Sequence, residues 1–117
     1  MLAQANRLKK NKDIKKILKR GRRFSEDFLV MKILSNGLNE SRFAFIVSQK
    51  FSKKAVERNK IRRQLSETVR QHLDKIEKGI DVIVLTTPTD KEKAVKEAKL
   101  VLGKLLGKAN LITDFDK

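Results

Sequence analysis

The chain of 117 residues contains no cysteine, tyrosine or tryptophan, and only one proline and one histidine. Without cysteine there is no disulfide framework, no thiol nucleophile and no cysteine-based zinc site. His72 alone excludes a catalytic or metal site built on several histidines. No apolar run approaches the roughly 20 residues that span a bilayer, and no apolar stretch follows the basic N-terminus as in a secretory signal. We therefore expect a soluble, cytoplasmic protein that does not bind a metal tightly.

Acidic residues are scarce relative to basic ones, and the imbalance lies in one half of the chain. The sequence holds 29 Lys and Arg against 14 Asp and Glu, a net charge of +15. Residues 1–63 carry 19 basic and 5 acidic side chains, whereas residues 64–117 carry 10 and 9. A polyanionic partner explains this asymmetry, because each phosphate that a protein neutralises releases condensed counterions. The charge favours a nucleic acid, with an anionic membrane or an ordinary basic surface as alternatives.

The length fits one domain, and no internal repeat or Gly/Ser-rich linker divides it. We expect a single domain over residues 7–112, a loose arm over 1–6 and a frayed tail over 113–117. A first helix is predicted over 11–20, because apolar residues recur there at helical spacing and Gly21 follows. Strands are predicted near 23–25, over 28–34 and over 42–48.

The turn Asn36-Gly37 separates the second and third predicted strands, so we expect these two to pair as a hairpin. A long helix is predicted over 52–74 from the apolar stripe that steps by four from Ile61 to Leu73. The β-branched run 80–86 predicts a central strand, and Thr89 or Asp90 caps a last helix to about residue 106. The order α-β-β-β-α-β-α indicates a small two-layer α+β sandwich.

The densest basic segment is Lys50–Arg63, in which seven of 14 residues are basic and one is acidic. It enters the long helix at the positive end of the helix dipole. Lys53 and Lys54 oppose that dipole, a cost that is explained if a phosphate binds there. Arg58 and Arg62 share a face beside the apolar stripe, and we expect them to project beyond the sheet toward a groove. The alternative is an ordinary solvated helix face.

The segment Ala55–Arg63, with Glu67 four residues further on, resembles the RNR motif of the bacterial ribonuclease P protein family. Three other segments agree with the family in order and spacing, so that the resemblance covers about residues 7–106. These are Arg7–Lys10 with the basic helix after it, Arg42–Lys50, and Gly79–Val84.

The resemblance implies an α+β fold with a left-handed crossover, as in a domain of a small-subunit ribosomal protein. It also implies that the chain does not cut RNA itself. A catalytic RNA subunit would hold most of the Mg²⁺ and hydrolyse precursor tRNA, while the protein, monomeric on its own, binds that RNA and the 5′ leader of the precursor. The implied RNA-binding residues are Lys50, Lys53, Lys54, Arg58, Asn59, Lys60, Arg62 and Arg63, with Arg7 and Lys9 near the N-terminus.

In the family the leader lies in a cleft between the first helix and the sheet, often lined by aromatic residues. Stacking of one base on an aromatic ring is worth ~1–3 kcal/mol, so this chain would have to use aliphatic contact and phosphate charge instead. For Ile14, Leu18 and Met31, the alternative role is packing in the core. The expected cleft residues are Ile14, Leu18 and Met31 at the aromatic positions, and Ala44, Ile46 and Ser48 on the next strand.

Phe43 and Phe45 alternate on a predicted strand, as do the base-stacking aromatics of an RRM domain. An RRM requires a helix between its first two strands, which this order lacks. The matching positions of the ribonuclease P family are apolar, so the resemblance implies that both side chains belong to the core. Two other functions remain as alternatives. One is a stand-alone structural RNA-binding protein, ribosomal or RRM-like, and the other is a nuclease active by itself, against which the lack of paired acids argues.

Overall fold

The structure, a computed structural model, describes residues 2–111. Its element order confirms the predicted α+β arrangement. A short 3₁₀ turn at Gln4–Asn6 precedes the first helix, and another at Leu73–Lys75 follows the second helix. In the part of the chain that is described, no helix is long and apolar enough to cross a membrane. The elements are α1 (Asn11–Arg20), β1 (Arg22–Glu26), β2 (Leu29–Ser35), β3 (Arg42–Val47), α2 (Ala55–His72), β4 (Ile80–Thr86) and α3 (Lys91–Lys108).

The four strands form one sheet in the order β1-β2-β4-β3. β4 runs antiparallel to β2 and parallel to β3, so the predicted hairpin of β2 with β3 is wrong. The reason is the burial of β4: Val82, Ile83 and Val84 are fully buried, and a strand buried on both faces takes the centre of a sheet. β3, α2 and β4 thus form a parallel crossover, whose left-handedness stays a prediction.

The Asn36-Gly37 turn is present, but its long-range hydrogen bonds are made with residues at the start of β4 and not with β3. Gly37 has φ +70°, the left-handed conformation that the pair Asn-Gly favours. The backbone N–H of Asn36 donates to the carbonyl of Gly79 at 3.0 Å, and its side-chain amide donates to Asp81 at 2.9 Å. The loop after β2 therefore packs over the start of β4. The sequence pattern had predicted instead that this loop leads directly into a hairpin with β3.

The larger core lies between the sheet and the layer of α2 and α3, which together form the predicted two-layer sandwich. The apolar stripe of α2 enters this core: Ile61, Leu65 and Val69 are at most 1% exposed. α3 contributes Ala98 and Leu102, both buried. Asp90 caps α3 by accepting a hydrogen bond from the backbone N–H of Lys93, as predicted.

α1 lies alone on the opposite face of the sheet, where Ile17 packs with Leu8 and Ile83 in a second, smaller cluster. Gly21 follows α1 with an extended backbone, and glycine is required there because a Cβ would lie 2.6 Å from the carbonyl oxygen of Ile17. The short helix therefore turns directly into β1 with the sheet close behind it.

Residues 2–6 do not form the loose arm that we expected. Leu2 is 3% exposed and belongs to the larger core. The side-chain amide of Asn6 is buried and donates to the carbonyl of Ser41 at 2.9 Å. Burial of one leucine and satisfaction of one amide hold this segment against the domain. The predicted tail over 113–117 lies outside the described residues.

Candidate nucleic-acid interface

The basic loop meets α2 later than the sequence pattern indicated. α2 begins at Ala55, so Lys53 precedes the helix and Lys54 is its N-cap residue. The first turn holds Glu57, whose carboxylate accepts a hydrogen bond from Ser52 at 2.6 Å and pairs with Lys91 at 3.1 Å. These two contacts, the hydrogen bond first, hold the pKa of Glu57 below its ordinary value. The helix dipole thus has an acidic partner, and the expected conflict with two lysines is smaller than predicted.

Arg58 and Arg62 of the RNR segment have different surroundings, although both are half-buried. Arg58 donates from Nη1 to the carbonyl of Ser52 at 2.9 Å, which ties the helix to the preceding loop. Arg62 bonds through Nη1 to the side-chain oxygen of Asn59. Each guanidinium has five N–H groups, so both retain donors for a phosphate. The remaining residues predicted to bind RNA in this segment are exposed, namely Lys50, Lys53, Lys54, Asn59, Lys60 and Arg63.

A groove with a volume of about 380 Å³ runs along the outer side of β3, between the N-terminal segment and α2. We call it the edge groove. It brings together residues predicted from three separate parts of the sequence: the N-terminal cations, the RNR arginines and the cleft residues. Its lining includes Arg7, Lys9, Ile14, Ala44, Phe45, Ile46, Arg62, Arg63 and Ser66.

Arg58 and the lysines 50, 53, 54 and 60 do not line the edge groove. Lys60 instead lines a second groove, of about 540 Å³, between the first turns of α2 and α3. The predicted RNA-binding residues therefore form a band that extends from the edge groove around the start of α2. Such a band of cations favours contact with several phosphates of one folded RNA.

Four of the expected cleft residues lie on the face that α1 covers. Ile14 and Leu18 from α1 and Ala44 and Ile46 from β3 pack around one cluster and are each half-buried. Ser48 follows the end of β3 and is also half-buried. The half-buried apolar atoms form an aliphatic surface on this face of the sheet.

Met31 is the exception, because it lies on the other face of the sheet. It is 0% exposed and belongs to the larger core. Side chains alternate along a strand, so an assignment that is off by one residue changes the face. The next residue of β2, Lys32, lies on the cleft side, and its Nζ donates to the carbonyl of Leu18 at 2.9 Å. The alternation of side chains along β2 is the sequence signal that would have placed Lys32, rather than Met31, on the cleft side.

Phe43 and Phe45 have different environments because β3 is an edge strand. Phe43 is 3% exposed and is a core residue, as predicted. Phe45 is half-buried and lines the edge groove as well as packing against the larger core. The sequence pattern alone placed both rings inside because it did not indicate that β3 is an edge strand.

Fold and surface together define a small RNA-binding protein, an α+β domain with cations gathered at one sheet edge and at the start of one helix. The family model for ribonuclease P matches residues 2–110. The ribonuclease P protein component of Alkaliphilus oremlandii is 36% identical over 107 residues, which is 92% of this chain and 93% of that protein. That of Clostridium botulinum strain 657 is 33% identical, over 91% of this chain and 96% of its own. The chain belongs to the ribonuclease P protein family.

Solved structures agree with this assignment. The ribonuclease P protein of Staphylococcus aureus superposes with a TM-score of 0.86 at 29% identity, covering 94% of this chain and 100% of the other. The Thermotoga maritima protein superposes with a TM-score of 0.78, also at 29% identity, over 87% and 96% of the two chains. The α+β fold derived from the sequence is therefore the fold of this family.

Proposed function

We propose that this chain is the subunit that binds the catalytic RNA of a bacterial ribonuclease P and the 5′ leader of precursor tRNA. The holoenzyme hydrolyses one phosphodiester bond and releases the mature 5′ end of the tRNA. The cations at the start of α2 and along the edge groove contact the catalytic RNA, mainly at phosphates. The face between α1 and the sheet holds single-stranded leader. Because these RNAs are cytoplasmic in bacteria, the proposal includes that location.

The observation that carries this proposal is the convergence of cations on the edge groove. Arg7, Arg62 and Arg63 come from two distant parts of the chain and line one groove. Arg7 is oriented by a hydrogen bond from its Nε to the carbonyl of Leu2 at 2.7 Å. Grouping like charges is unfavourable for the isolated protein, and a polyanion in the groove reverses that cost.

Leader binding rests on the half-buried apolar face beside α1. Ile14, Leu18 and Ile46 offer aliphatic contact there, and Lys32 is the cation on the same side of β2. Aliphatic contact depends little on base identity, unlike stacking on an aromatic ring or hydrogen bonds to base edges. We therefore expect leader affinity in this protein to depend on leader length and salt more than on leader sequence.

Mg²⁺ enters the proposal as an ion held mainly by the RNA subunit. Mg²⁺ sites in proteins use carboxylates together with substrate phosphates. Among residues 2–111, no three His, Cys, Asp or Glu side chains are grouped so that they could hold a metal ion.

Reconstitution with a bacterial ribonuclease P RNA tests the proposal. Cleavage of precursor tRNA is measured at low Mg²⁺ with leaders of increasing length, with and without the protein. We expect stimulation that grows with leader length until the leader extends past α1. No stimulation at any length would contradict the proposed function.

The same assay separates the alternative functions. A stand-alone structural RNA-binding protein would bind unrelated folded RNAs with comparable affinity and show no dependence on the leader. An independent nuclease would cleave precursor tRNA when the purified protein is free of RNA. A scrambled RNA of equal length is the control for non-specific binding, which the charge of +15 makes substantial.

A further inference from the structure

The outer edge of β3 is only half covered by the N-terminal segment. The backbone N–H of Leu8 donates to the carbonyl of Phe43 at 2.9 Å, and Arg7 forms an isolated parallel bridge with Phe43. Among the residues that the structure describes, backbone pairing on this edge is limited to that bridge. Backbone polar groups alternate between the two sides of a strand, so those of Phe45 point outward, like those of Phe43. An open strand edge therefore faces the edge groove at Phe45.

Phe45 adds an aromatic surface to this open edge. Its ring stacks parallel to that of Phe43, with centroids 6.5 Å apart and planes 6° apart. Both residues line the groove, but Phe43 is buried and Phe45 is half-buried. The pair is thus supported from inside the core while part of the outer ring meets solvent. A ring held in this way is rigid, which lowers the entropy lost when a flat ligand stacks on it.

Cations line the same groove as this ring. Arg62 and Arg63 reach the groove from α2, and Ser66, one turn further along, adds a hydroxyl. Flat aromatic surface, outward backbone donors and acceptors, and guanidinium groups are the three features that recognise a single unpaired nucleotide. An extended peptide also suits an open strand edge, but the positive rim favours a polyanion. The groove volume of about 380 Å³ lies in the range of small-ligand sites.

We propose that the edge groove binds one unpaired nucleotide of RNA, with its base stacked on Phe45 and its phosphate beside Arg62 and Arg63. This site rests on the proposed function and adds one specific RNA contact to it. The stacking position differs from the leader cleft, because Phe45 lies on the face of the sheet that α2 covers, whereas Ile14 and Leu18 lie on the face of α1. The two sites adjoin along β3, where Ile14 also lines the edge groove. The RNA contacted here belongs to the catalytic subunit, whose main contacts we place on α2.

The chain offers a matched control for Phe45. Phe24 on β1 pairs with Met31, which pairs with Val84, which pairs with Phe45, so the two phenylalanines end one row across the sheet. Both are half-buried against the same core. Phe24 even has an arginine near its ring, with the Arg22 guanidinium carbon 5.3 Å from the centroid. Phe24 does not line the edge groove.

Fluorescence tests the stacking directly, because the chain contains no tryptophan. The variants Phe45→Trp and Phe24→Trp each carry a single indole, and both are titrated with ribonuclease P RNA and with an oligoadenylate of five nucleotides. We expect both RNAs to quench the emission of Phe45→Trp and to leave that of Phe24→Trp unchanged. Equal quenching of the two variants, or none of Phe45→Trp, would overturn the proposal.

Affinity gives an independent measurement. Phe45→Leu keeps an apolar side chain against the core and removes the ring, and we expect it to weaken binding of ribonuclease P RNA about 5- to 150-fold, the range for one stacked base. Phe24→Leu is expected to change affinity less than about 2-fold. Thermal unfolding of both variants shows whether the folds are equally retained. Equal losses of affinity would mean a general effect of packing and would refute the site.

Different results would refute the nucleotide site and the proposed function. If the unmodified protein stimulates cleavage and Phe45→Leu binds the RNA as well as it does, the nucleotide site is refuted and the function stands. If the unmodified protein does not stimulate cleavage, the function itself fails. Quenching of Phe45→Trp by a short valine-rich peptide and not by RNA would assign the open edge to strand addition and overturn the proposal.

Discussion

Arg42 and Asp81 face each other across β3 and β4 as directly paired residues joined by two hydrogen bonds. Nε donates to Oδ1 at 2.8 Å and Nη2 to Oδ2 at 2.6 Å. The Asp81 side chain is 7% exposed, and the hydrogen bond raises the pKa of Arg42 above its ordinary value. Asp13 of α1 lies 3.6 Å from the same guanidinium, and Asn36 donates to Asp81. The pair therefore links the central strand, the edge strand, α1 and the loop after β2.

Replacement of Arg42 is expected to destabilise the fold strongly. Arg42→Met keeps the aliphatic length but leaves the Asp81 carboxylate buried without its charged partner. We expect the free energy of unfolding to fall by about 3 kcal/mol, as for other buried pairs that lose one member. Urea denaturation measures it.

The matched control is Arg70→Met, which breaks the exposed pair of Arg70 with Glu67, whose side chains are 49% and 42% exposed. Exposed pairs contribute about 1 kcal/mol or less, so this variant is expected to remain near the parent. A loss of under 1 kcal/mol for Arg42→Met would show that the Asn36 amide alone satisfies the buried carboxylate.

Arg62 is expected to contribute to the salt dependence of RNA binding. Arg62→Ala removes one phosphate contact, so the slope of log affinity against log salt for ribonuclease P RNA should become shallower by about 1. Adding Arg58→Ala should bring the total to about 2 by the same relation. Filter binding across a salt series measures the slope, with Lys99→Ala on the exposed side of α3 as control. An unchanged slope would mean that neither arginine meets phosphate.

An aromatic residue placed on α1 should restore base stacking in the leader cleft. Ile14→Phe puts a ring at a half-buried position that also lines the edge groove. We expect the holoenzyme to bind precursor tRNA with a long leader more tightly, by ~1–3 kcal/mol for one stacked base, and mature tRNA unchanged. Competition binding with both RNAs measures the difference. Equal tightening for the two would place the new contact outside the leader path.

Gly21 should not tolerate a side chain, although its backbone is not in the left-handed region. In Gly21→Ala the Cβ would lie 2.6 Å from the carbonyl oxygen of Ile17 and 3.2 Å from backbone atoms of Ile33. Because both neighbours are backbone, α1 must shift from the sheet, and we expect a loss of about 1–3 kcal/mol in thermal unfolding.

The control for Gly21 is Gly37→Asn. Gly37 has φ +70° and open space around its Cα, and asparagine is the residue best able to adopt that conformation after glycine. It should cost about 1 kcal/mol or less. If Gly21→Ala is as mild as this control, the junction of α1 and β1 has more freedom than its contacts indicate.

Errors in the sequence-based predictions arose where pairing partners are remote. The Asn36-Gly37 turn correctly indicated a reversal, but local turn geometry does not specify which strand receives the chain. Met31 was assigned to the cleft because it matches an aromatic position of the family, and one residue of phase in a strand moves a side chain to the other side. Leu2 was predicted to belong to a loose arm because its contacts are made with residues far along the chain.

The sequence by itself determined the order of elements, the apolar stripe of α2, the concentration of positive charge in residues 1–63 and the RNR segment that resembles the family. These features depend on residues within one or two turns of one another, or on composition. Only the tertiary structure decided that β4 separates β2 from β3, that Arg7 meets Arg62 in one groove, and that Phe45 ends a row of the sheet at an open edge. Each of these depends on the burial of β4 on both faces, which is a property of the whole packed sheet.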